Sequence, residues 1–122
     1  ILGKRLPTDV RRELIQGLTR PGRFLTPYGL ATESPESPYY ESDGYWRGPI
    51  WAPSTFVIVE GLAACGEIDL ARSLAEMFCD LCAANGFAEN FDALTGLGLR
   101  DRAYTWTSSV FLVLGHEYLN DD

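Results

Sequence analysis

The sequence predicts an all-α protein of about four helices, arranged as inner and outer layers and interrupted by one long ordered loop. Four segments carry apolar residues at helical spacing and are bounded by proline and glycine. Two of these segments are apolar on almost every side, while the segment between them is amphipathic. The stretch of residues 20–50 is rich in proline and glycine and also in aromatic residues.

The first helix is predicted over residues 7–18. Val10, Leu14 and Leu18 recur every four residues and would form one apolar stripe. Pro21 follows shortly afterwards and cannot continue a helix. We therefore expect a short first helix that gives the core some cover.

The second helix is predicted over residues 53–65 and the third over residues 68–84. The second begins at Pro53, is apolar nearly all round and ends before Gly66, which is typical of a buried helix. The third carries its charged residues mainly off one apolar stripe, which is typical of a surface helix. That stripe consists of Ile68, Ala71, Leu74, Ala75, Phe78, Leu81 and Cys82.

The fourth helix is predicted over residues 104–119, and its middle, VFLVL, is again apolar all round. The order inner helix, outer helix, loop, inner helix indicates two concentric layers. Two nearly apolar helices need more cover than the first and third helices provide. We expect the rest of a longer chain, or another copy of this one, to complete the core. The missing initial Met agrees with a chain cut from a longer one.

Composition and charge exclude several classes of function. With 46% hydrophobic and 22% charged residues, the chain resembles ordinary globular proteins, and we interpret residues 1–122 as part of one domain with no internal boundary. The net charge of -7 argues against a nucleic-acid or anionic-membrane partner, since both need a cationic surface. No apolar run is long enough to span a membrane. The odd cysteine count and the absence of a signal peptide favour a cytoplasmic protein.

Cys79 and Cys82 have the C-x-x-C spacing of some redox and zinc sites. A zinc site needs about four ligands, and the single histidine, His116, is distant in sequence. We favour buried thiols over a redox or zinc site, and we predict neither a metal nor another cofactor.

Two segments stand out as candidates for chemistry. Glu89 follows the end of the third helix and has Phe87 and Phe91 two residues to either side. Apolar neighbours raise the pKa of a carboxyl group and suit it to acid–base work, although a solvated loop glutamate is the alternative. The segment YWRGPIW, residues 45–51, gathers two tryptophans, a tyrosine and an arginine where no regular helix fits. A packed aromatic cluster with Arg47 stacked on a ring is the alternative there.

Three motifs in order give the chain a family resemblance: GYWRGPIW, GFAENFDALTGLG and YTWTSSVFLVL. Together they resemble the C-terminal part of inverting α-glycosidases with an (α/α)₆ barrel, and most closely glycoside hydrolase family 63. That group contains processing α-glucosidases, bacterial glucosidases and mannosylglycerate hydrolases, with trehalases as more distant relatives. The resemblance covers residues 5–119 and implies that this chain supplies the last part of such a barrel.

The resemblance also implies roles for individual residues. Glu89 matches the general base that activates water, although Ala93 stands where a proline usually follows the aspartate of this segment. A pyranose ring has an apolar face, which aromatic rings cover, and a rim of hydroxyls, which arginine and indole N–H groups bind. The residues that match the sugar-binding motifs are Tyr45, Trp46, Arg47, Trp51 and Trp106.

An inverting glycosidase needs a second carboxyl group that protonates the leaving oxygen. Glu41 and Asp43 lie beside the aromatic motif, but neither sits in the acid motif of the family. We therefore expect the acid outside this chain, and the isolated chain to be inactive. The alternative from another class is a non-catalytic helical module that binds a sugar or a protein through its aromatic loop.

Overall fold

A computed structural model of the chain describes residues 2–120. All four predicted helices are confirmed, with ends that shift by one residue except in the last. There the helix gives way to a π-helical segment, Gly115–Leu119, which the periodicity did not predict. The helices are α1 (Thr8–Thr19), α2 (Ala52–Ala64), α3 (Ile68–Asn85) and α4 (Thr105–Leu114), and a single 3-10 turn, Gly3–Arg5, precedes them.

Within residues 2–120, four two-residue strands accompany the helices. β1 (Leu25–Thr26) pairs antiparallel with β2 (Gly29–Leu30), and β3 (Asn90–Phe91) pairs antiparallel with β4 (Gly98–Leu99). Strands this short carry no alternating pattern, which is why the sequence analysis did not predict them. Two residues join β1 to β2 and six residues join β3 to β4, and each pair fixes the direction of a loop.

The predicted apolar stripe of α3 is buried except for Ile68, which is 53% exposed, and it forms much of the core. Its buried residues include Ala71, Leu74, Phe78 and Leu81. α2 packs along this stripe through a narrower face that includes Val59 and Leu62. α3 is therefore the element against which α2 and α4 pack.

The predicted stripe of α1 covers the core only partly. Leu18 packs against the core cluster, whereas Leu14 remains 58% exposed and Val10 lies at the surface. A groove of about 400 Å³ is lined mainly by residues of α1 and α2, and Leu14 is one of them. α1 therefore shields the core without sealing it.

The two nearly apolar helices expose part of their apolar surface. Leu112 and Val113 of α4 and Val57 of α2 are all exposed in residues 2–120. Burying an apolar side chain of this size stabilises a fold by roughly 1.5–3 kcal/mol. These faces are where the sequence analysis predicts additional cover, and that cover remains a prediction.

The long loop between α1 and α2 is ordered, as predicted. The amide of Ala31 donates to the carbonyl of Phe24 over 2.8 Å, and the hydroxyl of Thr32 donates to the carbonyl of Pro49 over 2.8 Å. Its last residues run into an isolated β-bridge at Ile50, directly before α2. The loop thus presents its aromatic residues from a fixed backbone.

Candidate functional site

The aromatic loop and the Glu89 segment are joined through Ile50 and Phe91. Their backbones exchange two hydrogen bonds, with N–O distances of 2.7 and 3.0 Å, and neither residue is exposed to solvent. Trp51 directly follows Ile50, and Glu89 lies two residues before Phe91. The two motifs that the sequence analysis singled out are therefore neighbours in space.

Glu89 sits at a bend in the segment between the end of α3 and the start of α4. Gly86 ends α3 at a positive φ of 77°, which a glycine adopts without strain. The Glu89 amide then donates to the carbonyl of Asp101 over 2.8 Å. Ala88 and Asn90 on either side are 0% exposed, while Glu89 itself is half-buried. The alternation leaves the glutamate as the accessible member of this segment.

The turn beyond Glu89 is closed without the proline that the family resemblance led us to expect. The Asp92 carboxylate accepts hydrogen bonds from the amides of Leu94 and Thr95, at 2.8 and 3.1 Å. Ala93, at the position of that proline, is fully buried. An Asx-type turn therefore supplies the local order that a proline would otherwise give.

Tyr45, Trp46 and Trp51 pack into one group. The indole rings of Trp46 and Trp51 stack with centroids 3.9 Å apart and planes within 10° of parallel. The Tyr45 ring meets both edge-on, at 5.9 and 5.0 Å. The indole N–H of Trp51 donates to the carbonyl of Tyr45 over 2.8 Å, which fixes the turn between them. Tyr45 adopts a φ of 63°, in the region that side chains larger than glycine rarely enter.

Tyr104 connects this group to the start of α4. Its ring lies 6.4 Å from that of Trp51 and 5.9 Å from that of Trp106, both edge-on. Burial raises the pKa of Tyr104 above its usual range, and the negative charge of Glu89 raises it further. The Tyr104 amide also donates to the carbonyl of Phe87 over 2.9 Å, which places the start of α4 beside the segment that contains Glu89. We call the five rings the aromatic cluster: Tyr45, Trp46, Trp51, Tyr104 and Trp106.

The members of the aromatic cluster differ in access to solvent. Tyr45, Trp46 and Trp106 are 45%, 42% and 52% exposed, so each offers ring surface to a ligand. Trp51 is 0% exposed because Trp46 lies over it. Within residues 2–120, Trp51 supports the exposed rings, and its direct contact with a ligand stays a prediction.

Arg47 points to a carboxylate partner. Its guanidinium forms a 2.7 Å ion pair with Glu41, and both side chains are more than half exposed. The cation that lies over a ring of the aromatic cluster is Arg100, whose guanidinium carbon is 5.2 Å from the centre of the Tyr45 ring. The alternative for YWRGPIW predicted an arginine stacked on an aromatic ring. Such a contact is present, but the arginine is Arg100 and not Arg47.

Sequence reasoning missed Arg100, Tyr104 and Asn90 as members of this site. Tyr104 begins the motif YTWTSSVFLVL, and its position two residues before Trp106 could have indicated that it belongs to the same site. Arg100 and Asn90 had no such signal, because their contact with each other depends on the β3–β4 hairpin.

The described residues hold no metal cluster and no membrane span. Between residues 2 and 120, no three histidine, cysteine or acidic side chains are grouped so that they could hold a metal ion. Cys79 and Cys82 are buried free thiols, and burial raises the pKa of Cys82 to about 12. No helix in this part of the chain is both long enough and apolar enough to cross a bilayer.

Known proteins place these features in a family. The model of the mannosylglycerate hydrolase MGH1-like glycoside hydrolase domain matches residues 2–107. A mannosylglycerate hydrolase of Thermus thermophilus is 34% identical over 85 residues, which are 70% of this chain and 20% of that protein. Mannosylglycerate hydrolase MGH2 of Selaginella moellendorffii is 32% identical over 93 residues, covering 75% of this chain and 19% of its own length.

A solved structure agrees with the sequence matches. The family 63 mannosylglycerate hydrolase from Thermus thermophilus, crystallised with glucose, superposes with a TM-score of 0.77 at 32% identity. The match covers 88% of this chain and 28% of that one. The chain therefore spans about a quarter of the solved relative and about a fifth of the two curated relatives.

The four helices correspond to part of the (α/α)₆ barrel that the sequence motifs implied, so the predicted fold class is confirmed. The predicted family is confirmed as well. The chain belongs to the mannosylglycerate hydrolase MGH1-like domain of glycoside hydrolase family 63.

Proposed function

We propose that this chain forms part of an inverting α-glycosidase that hydrolyses an α-linked glucosyl or mannosyl compound, with Glu89 as general base. The observation that carries the proposal is that the Glu89 segment lies beside the aromatic cluster. The Phe91 backbone pairs with Ile50, directly before Trp51, and the Phe87 carbonyl accepts a 2.9 Å hydrogen bond from the Tyr104 amide. Relatives support the substrate class. They include mannosylglycerate hydrolases, a glucosylglycerate hydrolase of Mycolicibacterium hassiacum and a probable mannosyl-oligosaccharide glucosidase of Schizosaccharomyces pombe.

The surroundings of Glu89 suit a base that activates water. Its backbone is held by the hydrogen bond to Asp101, and its side chain is half-buried. Arg47 and Arg100, near the aromatic cluster, pair with Glu41 and Asp43, so each has a carboxylate partner other than Glu89. In an inverting mechanism the activated water attacks the sugar from the face opposite the leaving group.

The exposed rings supply a surface for the sugar. Trp46 and Trp106 offer flat faces to the C–H side of a pyranose, and Tyr45 adds an edge and a hydroxyl. Arg47 can exchange its exposed partner Glu41 for sugar hydroxyls, because a pair this exposed contributes little stability. Trp51 lies behind Trp46 and would contribute by holding it, in addition to the direct contact predicted from sequence.

The second carboxyl group would come from outside this chain. Asp43 is paired with Arg100 and Glu41 with Arg47, at 2.6 and 2.7 Å, so both nearby acids already have cationic partners. We propose that the rest of a single catalytic barrel, or another copy of the chain, supplies the acid and covers the exposed faces of α2 and α4. The isolated chain would then be inactive. We also propose a cytoplasmic location, which the free thiols favour.

The test is Glu89→Gln in the full-length protein, assayed on mannosylglycerate, glucosylglycerate and an α-glucosyl oligosaccharide. Loss of the general base should lower kcat by at least about 100-fold. Glu76→Gln, an exposed glutamate on α3, is the matched control and should keep normal turnover. Near-normal turnover of Glu89→Gln would refute its role as base.

Two further readouts separate the alternatives. NMR of the first sugar product should show the anomer opposite to the substrate, and a retained anomer would refute the inverting mechanism. Sugar binding without turnover of any of the three substrates would instead support the non-catalytic module.

A further inference from the structure

We propose that Arg100 is a positioning residue that holds the aromatic loop in register with the Glu89 segment. The inference rests on the proposed function, because register between these two parts matters only if they share one ligand. Arg100 directly follows β4, on the hairpin whose other strand, β3, begins one residue after Glu89.

Arg100 makes four contacts from a single guanidinium group. Nη1 donates to Oδ1 of Asn90 over 3.1 Å and lies 2.6 Å from Oδ1 of Asp43. Nη2 donates to the backbone carbonyl of Asp43 over 3.0 Å. The guanidinium also lies over the ring of Tyr45. Both terminal nitrogens of the guanidinium therefore donate hydrogen bonds, its charge is paired with a carboxylate, and its flat face contacts a ring.

These contacts join the two halves of the site. Asn90 directly follows Glu89 and is 0% exposed, so its position and that of the Glu89 backbone are tied together. Asp43 and Tyr45 lie just before Trp46 in the aromatic loop, far from Arg100 in sequence. The Arg100 side chain is only 29% exposed, whereas that of Asp43 is 68% exposed. The contact with the buried Asn90 is therefore better shielded from solvent than the ion pair with Asp43.

The backbone supports the same conclusion. Among residues 2–120, the non-glycine residues with φ in the left-handed region are Tyr45 at 63° and Arg100 at 61°. Such conformations are unfavourable and persist only where surrounding contacts fix them, typically at functional sites. The two strained residues are the two that contact each other through the guanidinium and the phenol ring. The strained backbone positions and the contact between the guanidinium and the ring therefore lie at the same place, where the aromatic loop meets the β3–β4 hairpin.

The experiment compares Arg100→Met, Arg100→Lys and Arg20→Met in the full-length protein. Arg20 is the matched control, because it forms a 2.8 Å ion pair with Glu36, outside the aromatic cluster. Misplacing the rings relative to the base by about 1 Å should lower kcat/KM by about 10- to 100-fold in Arg100→Met. Arg100→Lys should recover little of this loss, since an ammonium cannot make the forked and stacked contacts together. Arg20→Met should match the wild type.

A double-mutant cycle separates positioning from general stability. Asp43→Asn removes the charge that Arg100 binds and keeps the size of the side chain. If Arg100 acts through Asp43, the double variant should be within about threefold of the worse single variant in kcat/KM. The proposal would be overturned if the losses of kcat/KM in the two single variants multiplied in the double variant. It would also be overturned if Arg100→Lys had the kcat/KM of the wild type, or if Arg100→Met lowered Tm without lowering kcat/KM.

A spectroscopic readout keeps this proposal distinct from the proposed function. The stacked Trp46–Trp51 pair contributes to the near-UV circular dichroism, and Arg100→Met should change that signal while Arg20→Met leaves it unchanged. If the wild type hydrolyses no glycoside, the proposed function fails, and the spectrum alone decides whether Arg100 holds the loop. An unchanged spectrum in Arg100→Met would refute the positioning role in either case.

Discussion

Thr107 donates a hydrogen bond from its hydroxyl to the backbone carbonyl of Ala88, with an O–O distance of 2.6 Å. Both residues are 0% exposed. Thr107 lies in the first turn of α4, and Ala88 directly precedes Glu89. One buried hydroxyl thus ties the last helix to the backbone of the candidate base.

Thr107→Val should destabilise the full-length protein by about 1–3 kcal/mol, because it leaves the buried Ala88 carbonyl without a donor. The release of Ala88 should also lower turnover through Glu89. Thr107→Ser keeps the hydroxyl and should lose much less on both measures. Thermal unfolding and kcat would be measured together, and equal behaviour of the Val and Ser variants would contradict the role of this hydrogen bond.

Trp46→Ala should weaken sugar binding more than it slows the chemical step. The exposed indole face of Trp46 is the proposed platform for the pyranose ring, and aromatic contacts of this kind contribute about 0.5–1.5 kcal/mol. We expect KM for the best substrate to rise about 2- to 10-fold. Tyr39→Ala removes a ring that is 71% exposed and outside the aromatic cluster, and it should leave KM unchanged. A KM equal to the wild type in Trp46→Ala would exclude this residue as the platform.

Gly48→Ala should destabilise the aromatic loop. A methyl group at this position would overlap the carbonyl oxygen of Glu41 and come within 2.9 Å of the Tyr40 ring. Forcing such an overlap typically costs about 1–3 kcal/mol. Gly115→Ala is the control, because its added methyl group has no neighbour within 4 Å among the described residues. Comparable melting temperatures for the two variants would contradict the close packing of residues 41–48.

The sequence predicted those features that depend on local periodicity. The stripe on α3 from Ala71 to Leu81 repeats with the helical period, so both the helix and its buried face could be identified. The aromatic content of residues 20–50 likewise indicated an ordered loop, because disordered segments are poor in aromatics.

Features that depend on distant pairings could not be predicted. Arg100 and Asp43 are 57 positions apart, and no pattern links an arginine in one hairpin to an aspartate in another loop. The burial of Trp51 beneath Trp46 could not be predicted either, because it depends on the folded backbone and not on the sequence pattern. Both residues belong to the same motif, and only the turn at Tyr45 decides which ring faces outwards.

Tyr118→Phe should change how stability depends on pH. Tyr118 donates a 2.6 Å hydrogen bond to Glu60 on α2, and burial, this bond and nearby carboxylates raise its pKa from 10.0 to about 12. Because the folded-state pKa is the higher one, this group stabilises the fold below pH 10, and its contribution is lost between about pH 10 and 12. Tyr118→Phe should therefore lose about 0.5–1.5 kcal/mol at pH 7 and decline less than the wild type above pH 10. Thermal melts from about pH 7 to 12, with Tyr39→Phe as control, test this, and parallel curves for wild type and Tyr118→Phe would refute it.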